Sequence, residues 1–142
     1  MSAATKPINQ PMDDVQQDVK ANKLAIGAKI FAGTLACLDG ANGAKALTDT
    51  LMQAGATFLG LARETYDNSA GATALTTKML FGRATGATFF AAKGGDIPGV
   101  ADIGLNISMQ DDQTVKKTIT GSDAVVTLVD TDGSTFWRVR LS

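Results

Sequence analysis

A chain of 142 residues, 44% of them apolar and 19% charged, is long enough for one domain with a buried core and needs neither metal nor disulfide to fold. Its net charge of -1 offers no basic footprint for nucleic acid or an anionic membrane. Histidine is absent, which removes the usual general base near neutral pH, the serine and cysteine triads and most zinc sites.

The first 22 residues, MSAATKPINQPMDDVQQDVKAN, are polar and hold two of the three prolines. Pro7 and Pro11 favour an extended path and oppose a helix before residue 12. Beyond them Asp13 is placed to cap a short helix with Val15 and Val19 four apart on one side. So small an apolar face does not fold alone. Two readings stand: a loose terminus, or an arm that orders against another subunit. No charged-then-apolar leader opens the chain and no apolar run has bilayer length, so the expectation is a soluble protein made in a reducing cytosol.

From Leu24 onward, short apolar runs are broken by Gly, Asn and Asp. LAIGAKIF (24–31) puts Leu24, Ile26, Ala28 and Ile30 on one face of an expected strand. TLACLD (34–39) follows a turn at Gly33, so the pair reads as a hairpin, with the lone Cys37 buried in its second strand. AKALTDTLMQAG (44–55) has Leu47 and Leu51 four apart and Gly55 as a terminator; it stays open between a helix and an irregular excursion.

ATFLGLA (56–62), LTTKMLF (75–81) and ATFFAA (87–92) are further expected strands. In DIGLNISMQ (102–110), Ile103, Leu105, Ile107 and Met109 alternate with polar or small residues and are expected to face inward. Asp111 and Asp112 turn the chain into TVKKTIT (114–120). AVVTLVD (124–130) and TFWRVRL (135–141) then flank a turn, with Trp137, Val139 and Leu141 on one face and Arg138 and Arg140 on the other. Short strands at intervals of roughly ten residues predict an all-β sandwich or closed barrel. The expected layout is an extended arm over 1–22 and a β-sandwich domain over 23–142.

Candidate chemistry is sparse. DTDGST (130–135) begins like a calcium loop, but its glycine falls fourth rather than sixth and Leu141 stands twelfth, where a bidentate carboxylate is required. A tight turn accounts for it. GANGAK (40–45), GRATG (82–86) and GGDIPG (94–99) lack the phosphate-loop pattern. RETYDNSAG (63–71) holds the only glutamate, Glu64, and the only tyrosine, Tyr66, beside Asp67 and Asn68. It reads as a strand end followed by a polar turn, with a small carboxylate hydrolase built on Glu64 and Asp67 as the enzymatic alternative. No catalytic, cofactor or metal residues are expected.

Taken in order, AGTLACLDG (32–40), FLGLARETYDNSAG (58–71), ADIGLNISMQDDQTV (101–115) and the closing GSDAVVTLVDTDGSTFWRVRL resemble the small head-decoration, or cement, proteins of short-tailed bacteriophages. The likeness covers roughly residues 24–141 and rests on turn-and-strand patterns. It implies a jelly-roll-like β-sandwich that sits on the outer surface of the assembled head and bridges major capsid subunits. It also implies self-association as a dimer or trimer, a homodimer first, with no nucleic acid, membrane or cofactor involved. The arm lies outside the shared pattern; Lys6, Pro7, Ile8, Pro11, Val15 and Val19 are its candidate capsid contacts. Another phage structural part, such as a tail-tube or baseplate component, is the alternative role.

Overall fold

The computed structural model describes residues 3–5, 7, 18–82 and 88–141. The first half of the chain contributes β1 (Asp18–Leu24), β2 (Lys29–Ile30), β3 (Leu35–Leu38), β4 (Ala44–Ala46), helix α1 (Asp49–Gln53), β5 (Thr57–Ala62), β6 (Tyr66–Asp67) and β7 (Leu75–Gly82). The second half contributes β8 (Thr88–Ala91), β9 (Asn106–Met109), β10 (Val115–Lys116), β11 (Ala124–Thr131) and β12 (Trp137–Leu141). The protein is all-β apart from α1 and short 3-10 turns, as composition and strand spacing predict.

Strands β1, β4, β3, β5 and β7 close into a barrel, with β1 and β7 antiparallel along most of their length. The remaining strands form a five-stranded antiparallel sheet in the order β10-β9-β11-β12-β8, and β2 and β6 make a two-stranded ribbon. The outer strands of the five-stranded sheet meet just past β8: Ala92 N–H donates to Gln113 O at 2.7 Å, and Val115 N–H to Ala92 O at 3.1 Å. A jelly roll has eight strands in two Greek keys; the orders here are those of a barrel beside a nearly closed sheet.

Strand β3 explains how the two halves share one body. Leu35 and Cys37 point into the cluster built on the five-stranded sheet, with Ile107, Met109, Leu128, Trp137 and Leu141, whereas Ala36 points into the barrel. A strand buried on both faces reads as a continuous apolar run, which TLACL is. Inside the barrel, small Ala21, Ala36 and Ala44 face large Met79 and Phe81, so the narrow interior is filled by alternating sizes. Burial in the shared cluster pushes the Cys37 thiol up to about 11, so it stays protonated and packs as a small apolar residue.

Three expectations are corrected. First, Asp18 to Asn22, placed in the arm, belong to β1, with Val19 registered opposite Phe81 rather than on a helix with Val15. The long antiparallel ladder on β7 overrides the weak four-residue spacing. Second, 24–31 is not one strand and does not form a hairpin with 34–39. Ala25 to Ala28 form a turn, closed by Ala28 N–H to Ala25 O at 3.1 Å, in which Gly27 takes φ +70°. The short β2 beyond it pairs with β6 instead. Third, Ile103 and Leu105 are exposed, because 100–102 is a 3-10 turn and Gly104 takes φ +90° before β9 begins at Asn106. The open segment 44–55 resolves into β4 and the five-residue α1, whose N-cap Thr48 accepts Leu51 N–H at 3.1 Å and whose Met52 is buried.

Candidate docking face

The five-stranded sheet buries one side; on the other, Ser108 of β9 is covered, its hydroxyl donating to Thr118 O at 2.8 Å, while β8 and β12 present side chains outward. Along β12, Trp137, Val139 and Leu141 are buried while Arg138 is half-buried and Arg140 exposed. On the same outer side, β8 presents Phe90, which lies opposite Arg138 and meets the Phe136 ring edge-on at 6.4 Å between centroids. Arg138 Nη2 donates to Thr88 Oγ1 at 3.1 Å, so its guanidinium is laid across the strands.

The loop before β9 extends this face. Gly104 N–H donates to Leu128 O at 2.8 Å and Leu128 N–H to Leu105 O at 3.0 Å, which pins the loop to β11. Trp137 Nε1–H donates to Pro98 O at 2.9 Å and holds the loop's other end from inside the core. Val100 (59% exposed), Ile103 and Leu105 (55%) are thereby fixed outward. A cleft of about 220 Å3 runs between Ile103 and the sheet, lined by Ile103, Thr127, Val129 and Arg140. Aliphatic and aromatic side chains mixed with arginine on a rigid sheet are the composition of a protein-binding patch. The β11–β12 turn that borders it is DTDGST. Asp132 Oδ1 accepts Ser134 N–H at 2.8 Å and Thr135 N–H at 2.6 Å, and the Thr135 hydroxyl and these amides hold the Asp132 carboxyl well below the usual range.

The RETYDNSAG segment is a structural brace. The Tyr66 hydroxyl accepts Leu80 N–H at 2.9 Å, and its ring packs on Phe81. Asp67 Oδ1 accepts both the Ser69 hydroxyl (2.6 Å) and the Ser69 amide (2.8 Å). Asn68 is buried: its Nδ2 donates to Ala25 O and Thr73 O, each at 3.0 Å, and its amide to Ala28 O at 2.8 Å. A Cβ on Gly71 would collide with the Asn68 carboxamide, so Gly71 keeps that amide in place. Glu64 lies exposed on the loop.

Of the candidate arm contacts, Lys6, Ile8, Pro11 and Val15 lie outside the described residues, Pro7 is exposed, and Val19 lies in β1. Nearby, Ala4 N–H donates to Asp112 Oδ1 at 2.9 Å, which brings the start of the chain onto the seam between barrel and sheet. At that seam Leu35 N–H donates to Asp112 O at 2.9 Å, and Thr48 bridges Asp111. Asp112 is only 2% exposed; burial, reinforced by the neighbouring Asp111 charge, raises its carboxyl to about 6.

The native state therefore holds this proton more tightly than the unfolded chain. Between roughly pH 4 and 6, charging Asp112 costs stability as pH rises. Asp112→Asn keeps an acceptor for Ala4 and is expected to raise unfolding free energy at pH 7.5 by about 2–3 kcal/mol, a gain that vanishes near pH 4. Urea unfolding at several pH values checks it; an equal gain at all pH values would contradict it.

Among the described residues, no group of three or more His, Cys, Asp or Glu is placed to hold a metal ion, and no helix is long and apolar enough to cross a membrane. Compared with known proteins, the chain matches no family model, no curated protein and no solved structure.

Proposed function

We propose that this chain is a viral structural protein that docks on the outer surface of an assembled phage head and stabilises it by bridging major capsid subunits. The observation that carries this reading is the outward face of the five-stranded sheet, where Phe90, Val100, Ile103 and Leu105 stand exposed beside Arg138 and Arg140. The resemblance of segments 32–40, 58–71 and 101–115 to head-decoration proteins points the same way. A rigid face with a few apolar anchors suits a repeating partner, because many weak contacts on one shell reinforce each other through effective concentration.

Purified chain mixed with expanded empty heads is expected to bind saturably. Leu105→Asp combined with Arg140→Glu is expected to weaken binding at least tenfold, about 1.4 kcal/mol, with the fold unchanged. Heads that take up none of the folded chain would sink the reading. Density on the tail in electron microscopy of virions would move the role to a tail-tube or baseplate component.

A further inference from the structure

A second surface, at the far end of β1, carries an apolar residue in an unusual place. Turn tips favour Gly, Pro, Asn, Asp and Ser. Here Ile26 occupies the tip of the Ala25–Ala28 turn and is 61% exposed. The turn is not loose: the buried Asn68 binds both of its ends, Ala25 O and Ala28 O. Ile26 divides two adjoining clefts of about 300 and 260 Å3. Lys23, Asn42 and Ala74 line the first, Lys29 and Leu51 the second, and Lys45 borders both.

Three ammonium groups therefore surround one aliphatic knob. Lys29 sits 3.6 Å from Asp67 and Lys45 2.7 Å from Asp39, while Lys23 donates to Ala41 O at 2.6 Å. Surface ion pairs of this kind are weak enough to be exchanged for a better partner. The complementary ligand is an extended segment with adjacent carboxylates flanked by apolar residues.

This chain contains two Asp-Asp pairs. Asp111 and Asp112 are buried in the seam. The other stands in Pro11-Met12-Asp13-Asp14-Val15. That segment is joined to β1 at Asp18, whereas the turn follows Leu24 at the opposite end of the strand, about 20 Å away at ~3.3 Å per residue. Fully extended, the five steps from Asp18 to Asp13 span at most about 18 Å at ~3.6 Å each, less than the length of β1, so within one molecule neither Asp13 nor Asp14 reaches the turn.

We infer that the Ile26 turn and its lysine-rimmed clefts receive the Met12–Val15 segment of a second copy, linking protomers through their N-terminal segments. This surface is distinct from the docking face, and the inference rests on the proposed function only in that linked copies would bridge capsid subunits. Sedimentation velocity of the full chain across a concentration series tests it. The wild type is expected to self-associate, more weakly at high salt. Ile26→Asp, Asp13→Lys with Asp14→Lys, and Lys23→Glu with Lys29→Glu are each expected to weaken association at least tenfold. Combining the two charge reversals in one chain is expected to restore it.

Circular dichroism checks each fold, and the Asp13/Asp14 variant leaves every residue of the barrel intact. A wild type that stays monomeric, association unmoved by Ile26→Asp, or loss without rescue in the combined variant overturns the inference. Leu105→Asp with Arg140→Glu is expected to leave self-association unchanged, so failure of head binding and failure of this pairing read out separately.

Discussion

Deleting residues 1–17 is expected to leave a cooperatively folding protein, whereas deleting residues 1–22 is expected to abolish the native fold. The difference is five residues of β1. Asp18, Val19, Lys20 and Ala21 are registered opposite Gly82, Phe81, Leu80 and Met79, and Ala21 is buried in the barrel. Removing them breaks the barrel open along β7, exposes Met79 and Phe81, and strands the ladder amides and carbonyls of a formerly paired strand. Four or five lost backbone hydrogen bonds at about 0.5–1.5 kcal/mol each, with the exposed core added, approach the whole of a typical net stability of about 5–15 kcal/mol. Far-ultraviolet circular dichroism and thermal melts of the two truncations decide it. A 1–22 deletion that melts like the full chain would mean that β1 is no part of the closed barrel. For attachment to heads, the informative truncation is thus the one that stops at residue 17.

Trp137→Ala is expected to cost about 4–6 kcal/mol. The side chain is the largest in the core, 1% exposed, and packs within the cluster shared by β3, β5 and the five-stranded sheet. Cavity formation at a buried Trp costs about 3–5 kcal/mol, and the Pro98 carbonyl left without its indole donor adds about 1 kcal/mol or more. The same substitution frees the loop that carries Val100, Ile103 and Leu105, so head binding is expected to fall with stability. Trp137→Phe separates the two effects: it keeps most of the volume, removes the bond to Pro98, and is expected to weaken binding more than its smaller stability loss explains. Urea unfolding followed by circular dichroism, needed because Trp137 is the only tryptophan, gives the stabilities. A Trp137→Ala variant within about 1 kcal/mol of wild type would contradict the packing described here.

Where a strand has one buried face, its alternation made the fold legible in the sequence. TFWRVRL and AVVTLVD became β12 and β11 with Trp137, Val139 and Leu141 inward and Arg138 and Arg140 outward. TLACL was legible as buried for a different reason, since a strand covered on both sides shows no polar face at all. The same alternation misled at Ile26, Ile103 and Leu105. Each is spaced like a core residue, yet Gly27 and Gly104 take positive φ and rotate the chain out of the pleat. Those two glycines were the signal, and they are uninformative until the backbone around them is known.

Strand β1 was hidden by its polarity and by a register shift between Ala21 and Lys23, which lets Ala21 and Leu24, three apart, both face the barrel interior. The proposed docking face was illegible for a related reason. It draws on β8, β12 and the loop before β9, whose adjacency is set by long-range pairing rather than by spacing along the chain. The brace at Asn68 was visible only as turn chemistry, since nothing in DNSAG indicates that its amide reaches back to Ala25.

The bond between Ala92 and Val115 has a consequence for how this protein behaves when crowded. Unpaired rims of β-structure nucleate fibres, and the hazard grows with local concentration. Here β8 and β10, the outer strands of the five-stranded sheet, are stitched to each other at Ala92 and Thr114, so at that point neither templates a further chain. Crowding at that seam therefore brings side chains together rather than backbones.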